Sequence, residues 1–438
     1  MAPIWLASLA SSSATHVLGR DADMTDSSTT AISSWMLSQW RNPGDILSVL
    51  LLLGPDVIQR AIAQLAGRAI TPVAFSFGWV AYAVSALLSS FGDGRLMPES
   101  ETSFVVIDTN SGHSRVTRNW VLGRLLRDFN DRLDEEMKDE QEHISSDSHD
   151  KERRAPPELG KGTGEANQKH FEALRVTVFE VDDNPPAPHG VPTLDWVWYS
   201  GIVVMVLQLA VAAVPWAVNG AWNIFMVTAA GNLLASVGGS LPQWRREKWA
   251  CPKAGGDTAA ITEGNGSRSA MVILGKKGLG LKLEVLARGT RMAPATRLTR
   301  VASTVLATLW VLFLITVADL LGIGLVGSIQ NLVAAGVRRS PGALGIHIKQ
   351  VEVIRARYVS ETLKQVEKRY PLVGTALLSV FFPGSMRIPP ERAEEISFWR
   401  AALDARYKEN KHGIRLDCLP QLLQEEKPRL GGQGSLRG

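Results

Sequence analysis

The chain has 438 residues, a formal net charge of +4 and 21% charged residues. This length exceeds one typical domain, so two or more units are expected. Its two cysteines, Cys251 and Cys418, form no Cys-x-x-Cys pair. They imply no disulfide framework, which suits polar segments that face a reducing compartment.

Charge is absent from long parts of the chain. Trp196 to Trp244 is a run of 49 residues without a charge, residues 69–92 form another, and residues 301–337 carry only Asp319. Crossing a bilayer takes roughly 20 apolar residues, whereas apolar runs in soluble helices are about 10 to 14 residues long. Tryptophans also lie near the ends of the long run, as interfacial aromatic residues do. The sequence therefore predicts a multi-pass α-helical membrane protein with five or six spans and helical hairpins.

Residues 1–45 are rich in Ser and Thr and are predicted to form a disordered N-terminal tail. A cleaved signal peptide is the alternative, although the basic start and long apolar core are missing. Residues 46–91 are predicted membrane segments. Residues 46–67 are an uncertain span, because Gly54-Pro55-Asp56 interrupts them; a broken span, a re-entrant segment and an interfacial helix all remain open. Residues 70–91 are predicted to be one continuous span.

Residues 92–193 are predicted to be a cytoplasmic α/β segment. It contains strands at 103–108 and 174–181, a helix at 117–140 and a disordered linker at 140–168. The apolar residues of the helix recur on one face. Its first half is also basic enough, through Arg115, Arg118, Arg124 and Arg127, to attract anionic lipid. Acidic residues from Asp128 onward favour packing against a sheet instead.

Residues 194–241 are predicted to be a transmembrane hairpin, divided by Pro215 and Asn219-Gly220. In its second half, Gly231, Ala235 and Gly239 repeat every four residues, a pattern that lets another helix approach closely. Frequent small residues in spans are the plainer interpretation of this pattern.

The remaining segments continue this alternation of polar and apolar regions. Residues 242–300 are predicted to be a cytoplasmic segment with a β-hairpin of strands 270–274 and 279–287. Residues 301–337 are a transmembrane segment, interpreted as a short hairpin that turns near Asp319. Residues 338–438 are a cytoplasmic C-terminal α/β segment with a strand at 346–354 and helices at 360–370 and 391–407. Because no polar segment could bury a core alone, all three are expected to form one composite α+β domain.

The distribution of Lys and Arg sets the predicted topology. Residues 92–193, 242–300 and 338–438 hold 13, 12 and 18 of them. Cytoplasmic loops favour these residues, and charges close to span ends carry the signal. The charges close to the ends of the predicted spans are Arg245, Arg246, Lys248, Arg291, Arg297, Arg300, Arg338 and Arg339. They place all three polar segments in the cytoplasm, so the acceptor sequence Asn265-Gly266-Ser267 should be unglycosylated.

Four residue strings stand out in the chain: Gly54-Pro55-Asp56-Val57-Ile58-Gln59-Arg60-Ala61, Phe75-Ser76-Phe77-Gly78-Trp79-Val80-Ala81-Tyr82, Asn119-Trp120-Val121-Leu122-Gly123-Arg124-Leu125-Leu126-Arg127-Asp128-Phe129 and Ile329-Gln330-Asn331-Leu332-Val333-Ala334-Ala335-Gly336. These strings resemble a group of uncharacterised multi-pass membrane proteins of filamentous fungi. The resemblance covers about residues 41–410 and implies a multi-span organisation. It implies no activity, so no functional residue is transferred, and the last membrane stretch is shorter here.

Candidate chemical groups are few. Asp182-Asp183 is the only Asp pair, and it lies in a Pro-rich loop. His143 and His149 lie among acidic residues but at no metal-ligand spacing, so a solvated linker is the favoured interpretation. The glycine-rich stretch 275–280 is interpreted as a turn rather than a phosphate loop.

Asp319 stands alone in an apolar stretch and has two interpretations. It marks a water-exposed turn, or it faces the bundle interior and meets a polar side chain such as Asn223 or Asn232 as a ligand or proton site.

Three function classes follow from this sequence. The first is a membrane-anchored scaffold or accessory protein with a cytoplasmic partner-binding domain. A small-molecule transporter or channel and a membrane-embedded enzyme are the alternatives. The expected partners are the lipid bilayer and a cytoplasmic protein. No nucleic acid, cofactor or metal is predicted, and the catalytic residues, the small-molecule ligand and the particular membrane are left open.

Overall fold

The computed structural model describes residues 44–92, 95–154, 172–288, 293–316, 321–383, 386 and 393–409. The chain divides into Met1–Leu50 and Leu51–Gly438, and nearly all of the described residues belong to the second unit. Helix α1 (Gly44–Leu65) begins in the first unit. The other helices are α2 (Gly78–Phe91), α3 (Trp120–Arg154), α4 (Trp196–Asn219), α5 (Asn223–Gly239), α6 (Pro242–Lys248), α7 (Leu283–Ala287), α8 (Arg297–Thr316), α9 (Leu321–Gly336), α10 (Val359–Arg369), α11 (Val373–Phe381) and α12 (Ala393–Glu409).

The strands form one six-stranded sheet in the order β2-β1-β4-β5-β3-β6. They are β1 (Phe104–Asp108), β2 (Ser114–Thr117), β3 (Leu174–Val181), β4 (Ala259–Thr262), β5 (Ser269–Leu274) and β6 (Ile348–Ala356). Only β3 and β5 are parallel; every other neighbouring pair is antiparallel. Strands from all three polar segments therefore meet in one sheet, as predicted.

The sheet is covered on both faces. On one face, Val176 and Val178 of β3 pack in a core with Leu363, Leu377 and Trp399 from α10, α11 and α12. On the other, Phe129 of α3 contacts Phe179 of β3 edge to face, with ring centroids 5.8 Å apart. The apolar face of α3 is buried. The prediction that this helix packs against the sheet is confirmed.

Helix α3 is longer than predicted. It continues to Arg154, through the first half of the segment predicted as a disordered linker at 140–168. The run from Asp134 to Arg154 contains neither Gly nor Pro, so no residue in it breaks the helix before Pro156.

The predicted β-hairpin of 270–274 and 279–287 is wrong in its second strand. β5 pairs with β4 on one side and with β3 on the other, so it has no free edge for a further strand. The real hairpin is β4–β5. Residues 279–287 instead form a tight turn, with an isolated bridge between Lys276 and Leu279, followed by α7. The alternating Leu281 and Leu283 are buried without belonging to a strand.

The apolar helices form a bundle beside the sheet. The α4–α5 hairpin begins and ends within two residues of the predicted bounds 194–241, with Gly220 in the left-handed conformation at the turn. α8 and α9 flank residues 317–320, so Asp319 lies outside the described residues. Among the described residues, two helical stretches are long and apolar enough to cross a membrane, Trp196–Asn219 and Asn223–Lys248, while Gly78–Phe91 and Ile323–Gly336 are shorter apolar helices.

The outward faces of four of these helices are exposed and apolar. The exposed residues are Val203, Val206, Leu207, Val211 and Val214 on α4, Met226, Leu233 and Val237 on α5, Val301, Val305, Leu309 and Leu312 on α8, and Leu325, Ile329 and Leu332 on α9. Water-soluble monomers rarely expose contiguous apolar patches larger than a few hundred Å². We call this surface the apolar belt.

The continuous span predicted for 70–91 is wrong. Helix α2 begins only at Gly78, and residues 66–77 have no regular secondary structure. Pro72 explains part of this, because proline lacks an N–H and disfavours the helical conformation of the residue before it. Thr71 to Val80 are nevertheless all buried.

Candidate functional site: a non-helical segment inside the bundle

Residues 66–77, the inner segment, enter the bundle, and from Thr71 onward they carry their backbone through its centre. Buried N–H and C=O groups outside a helix or sheet need other partners, since leaving them unpaired is costly. Four buried amide side chains supply these partners. We call them the amide cradle: Gln208 of α4, Asn232 of α5, and Gln330 and Asn331 of α9.

The cradle pairs the inner segment at Ala74 and Phe75. The N–H groups of these residues donate to Gln330 Oε1 at 3.3 Å and to Asn232 Oδ1 at 3.1 Å. Their carbonyl oxygens accept from Asn331 Nδ2 at 3.0 Å and from Gln208 Nε2 at 2.8 Å. Each amide side chain therefore supplies one donor or one acceptor that the backbone of a neighbouring strand would otherwise supply.

Glycines allow the helices to come this close. A Cβ on Gly327 of α9 would lie 1.7 Å from the Phe75 carbonyl oxygen, and one on Gly201 of α4 would lie 2.0 Å from that of Pro72. A Cβ on Gly231 would lie 2.8 Å from the Phe75 ring. The predicted row of small residues on α5 does allow close packing. Much of what packs against it is the inner segment rather than another helix.

The inner segment and α2 form a re-entrant unit, residues 66–91. The segment begins where Arg68 Nε donates to the Pro192 carbonyl oxygen, just before α4, at 3.0 Å. It reaches Gln208, which lies 13 residues past the α4 cap at Asp195, a distance of about 20 Å along the helix. Helix α2 then returns, and Ser90 Oγ lies 3.2 Å from Ser303 Oγ in the second turn of α8. Both ends of the unit therefore lie at the sheet-facing end of the bundle.

Three buried cations connect the bundle to the sheet, and we call them the cation layer: Arg124, Lys248 and Arg339. Each donates to carbonyl oxygens at a helix C-terminus, where the helix dipole favours positive charge. Lys248 Nζ donates to the carbonyl oxygens of Gln64 and Ala66 at the end of α1, at 3.0 and 2.8 Å.

Arg339 and Arg124 complete this layer. Arg339 binds the Asp195 carboxylate through two nitrogens at 2.6 and 2.7 Å, a bidentate geometry that is among the stronger ion pairs. Arg124 donates to the last three carbonyl oxygens around the end of α9 and pairs with Asp128 at 3.1 Å. Burial lowers the pKa of Arg124, and Asp128 opposes this shift. Because the Arg124 side chain is buried and bound to these protein groups, the alternative that it contacts lipid is wrong.

The candidate residues from the sequence occupy other places. Asp182 and Asp183 pair with Lys349 and Lys276 respectively, so this Asp pair serves two separate ion pairs. Asn223 is exposed, and Asn232 binds the inner segment. The side chains of His143 and His149 lie outside the described part of the chain. Within that part, no group of three or more metal-ligating residues comes together.

Two of the charges used for the topology prediction, Lys248 and Arg339, are buried in the cation layer. They cannot report on contact with lipid headgroups. The topology prediction therefore depends on the exposed Arg245, Arg246, Arg297, Arg300 and Arg338, together with Arg291, which lies outside the described residues.

The sequence reasoning missed most of the amide cradle. Its signal was present, since Gln208, Gln330 and Asn331 are polar residues within apolar helices. It also missed the cation layer, whose residues look like ordinary flanking charges in the sequence.

No family model, curated protein or solved structure matches this chain. The resemblance to fungal membrane proteins therefore stays a prediction.

Proposed function

We propose that the chain is an integral membrane protein whose bundle lies in the bilayer and holds the α/β domain at the membrane surface. The apolar belt supports this, because lipid is the solvent that such a surface suits. The amide cradle supports it too: non-helical backbone at membrane depth is tolerated only where protein or a water-filled cavity surrounds it. In this arrangement the re-entrant unit does not cross the bilayer, and the helices α4, α5, α8 and α9 do. This proposal replaces the predicted five or six spans with four. Helix α1 stays outside this count.

We infer that the α/β domain serves as a scaffold, and the free edge of β6 carries this inference. β6 has nine residues and pairs only with β3. Arg175 of β3 donates its N–H toward β5, so it makes no hydrogen bond to Arg355, the β6 residue opposite it. The N–H group of Arg355 therefore points away from β3. Because backbone groups alternate in direction along a strand, the N–H group of Val353, two residues earlier, points the same way. Among the described residues, no backbone group pairs with this outer edge. An extended peptide can add to such an edge as a further strand.

A pair of proline substitutions tests the scaffold function. Val353→Pro removes an outward N–H and keeps the sheet, whereas Ile354→Pro removes a ladder hydrogen bond and should unfold the domain. Tagged wild-type and Val353→Pro chains would be purified from cells, and the stoichiometry of every co-purifying protein measured. We expect a near-stoichiometric partner with the wild type that Val353→Pro loses. A partner retained by Val353→Pro would exclude the edge as the binding surface, and no stoichiometric partner would contradict the scaffold function.

The orientation has its own test. Asn265 and Gly266 lie exposed in the β4–β5 turn, so the glycosylation machinery could reach Asn265 if this turn faced a secretory lumen. We place the turn in the cytoplasm and expect no change in electrophoretic mobility after endoglycosidase treatment. A shift would reverse the orientation.

One observation favours the alternative of a transporter or channel. Each cradle amide uses one polar atom on the inner segment, and its other polar atom has no hydrogen-bond partner in the described structure; these atoms are Gln208 Oε1, Asn232 Nδ2, Gln330 Nε2 and Asn331 Oδ1. Broken helices at membrane depth bind substrates and ions in many transporters. Purified protein that retains a stoichiometric small molecule, lost in Asn232→Leu, would favour this alternative. No observation favours the embedded enzyme.

A further inference from the structure

A cavity of about 300 Å³ lies at the sheet-facing end of the bundle. Gly67, Gly190, Val191, Pro242, Arg245, Arg246, Trp249 and Lys253 line it. Three of these side chains are cationic and none is acidic. The rest of the lining is apolar or backbone, including the Trp249 ring and the glycine at the start of the inner segment.

The three cations of this cavity have no ionic partner within the described residues. This is unusual in the chain, where most buried and many exposed arginines pair with a carboxylate. Lys253 extends along Gly190, where a Cβ would lie 3.2 Å from its Cε. Three unpaired positive charges around one cavity repel one another, and an anion between them relieves that repulsion.

The surroundings of the cavity indicate the source of the anion. Arg245 and Arg246 lie on α6, which follows the apolar helix α5 after only two residues. Ile70, three residues after Gly67, is 54% exposed, and Trp196, five residues after Val191, is 62% exposed. The cavity therefore lies where positive charge borders exposed apolar side chains at this end of the bundle. A soluble anion needs only the charges, whereas an anionic lipid uses both the charges and the apolar surface beside them.

We propose that Arg245, Arg246 and Lys253 bind the phosphate group of an anionic phospholipid headgroup. Arginine forms bidentate hydrogen bonds with phosphate oxygens, and lysine adds a point charge. Basic pockets between membrane helices on the cytoplasmic side are suited to such headgroups. This proposal depends on the membrane function proposed above. It adds the class of ligand and the residues that bind it.

The test compares two triple variants of the full chain with equal loss of charge. Arg245→Gln/Arg246→Gln/Lys253→Gln neutralises the cavity. Arg268→Gln/Lys277→Gln/Arg357→Gln neutralises three exposed cations of the α/β domain that line no part of this cavity. Native mass spectrometry in detergent would measure the retention of phosphatidylinositol 4-phosphate and of phosphatidylcholine. Each cation near an anionic lipid contributes about a fivefold gain in affinity, so we expect roughly a hundredfold weaker retention of the anionic lipid in the cavity variant. The control variant should match the wild type, and phosphatidylcholine should bind all three equally.

Equal retention of the anionic lipid by the two variants would overturn the proposal. Inorganic phosphate that binds the wild type alone and displaces the lipid at millimolar concentration would assign the cavity to a soluble anion and overturn the lipid assignment. Alkaline carbonate washing separates this failure from failure of the membrane function. Release of the wild-type chain from membranes contradicts the membrane function, whereas a chain that stays in the membrane but shows equal lipid retention contradicts only the cavity proposal.

Discussion

Two regions of the described chain bury non-helical backbone, and each pairs its N–H and C=O groups differently. In the sheet, β3 pairs with backbone on both sides, through β5 and β6. In the bundle, the inner segment pairs with side chains from three helices. Backbone pairing depends little on which residues are present, whereas the cradle depends on a few particular ones. Single substitutions should therefore have larger effects in the bundle than in the sheet.

The largest expected effect is that of Gly327→Ala. The new Cβ would lie 1.7 Å from the Phe75 carbonyl oxygen, a backbone atom that cannot move without displacing the inner segment. We expect destabilisation of more than about 4 kcal/mol, seen as loss of monodisperse protein in detergent. Gly336→Ala in the same helix is the matched control, because no atom lies within 4 Å of the added Cβ. Wild-type behaviour of Gly327→Ala would contradict the close packing of α9 on the inner segment.

The next largest effect should come from Arg124→Met. This change removes the 3.1 Å ion pair to the buried Asp128 and leaves that carboxylate with a longer contact to Arg127, at 3.6 Å, and with the Arg339 N–H. It also removes the hydrogen bonds that Arg124 donates at the end of α9. Breaking a buried pair costs roughly 3 to 5 kcal/mol, and the contacts that remain put the expected loss at the lower end of this range. The half-exposed Arg127→Met should cost less than about 1 kcal/mol by the same measurement of thermal unfolding in detergent. Equal effects of the two variants would mean that Arg124 does not hold the bundle to the sheet.

A smaller effect is expected from Asn232→Leu. It leaves the buried Phe75 N–H without its acceptor, at a cost of about 1 to 3 kcal/mol. The exposed Asn223→Leu on the same helix controls for the added apolar surface. Thermal unfolding of the two variants should therefore differ clearly, with Asn223→Leu close to the wild type. An unchanged unfolding temperature in Asn232→Leu would argue that the cradle is dispensable.

The smallest effect concerns His189, in the loop between β3 and α4. Burial lowers the pKa of His189, and the neighbouring His347 lowers it further, while Asp182 opposes both. The ring centroids of the two histidines lie 5.5 Å apart. A lowered pKa means that the unfolded chain takes up this proton first, so folding stability falls as pH drops below about 6.5, the ordinary value.

Unfolding in detergent followed between pH 8 and pH 5 tests this dependence on His189. His189→Gln should reduce the loss of stability at low pH, whereas the distant exposed His113→Gln should leave it unchanged. An identical pH profile in His189→Gln and the wild type would remove His189 as the cause.

The sequence predicts the parts of this fold that depend on local patterns better than the parts that depend on pairing between distant residues. Local periodicity predicted β3 with its bounds and the α4–α5 hairpin almost to the residue. The alternation in residues 279–287 gave a wrong strand prediction, because such a stretch forms a strand only beside a free sheet edge. The edge of β5 is instead paired with β3, which lies about 90 residues earlier in the chain. Pairing over such distances leaves no mark in a local pattern.

The candidate site was less predictable than the fold. Pro72 was visible near the start of the predicted span, but a proline also begins many helices, so the buried non-helical run was not foreseen. The role of Gln330 and Asn331 becomes visible only beside the backbone atoms of Ala74 that they contact, which lie 256 and 257 residues earlier in the chain. The cation layer is similar: Arg339 resembles an ordinary flanking charge until Asp195 and the end of α1 are placed beside it.

The position of β3 in the sheet has a consequence for synthesis. Both of its neighbours, β5 and β6, come later in the sequence, and β6 comes after all the apolar helices of the bundle. During translation, β3 therefore leaves the ribosome with two unpaired edges, and its second edge is covered only after some 170 further residues have been made. Exposed edges of this kind are prone to aggregation and attract chaperones. A chain truncated after α9 should therefore be a substrate for cellular quality control, even though the whole bundle is present.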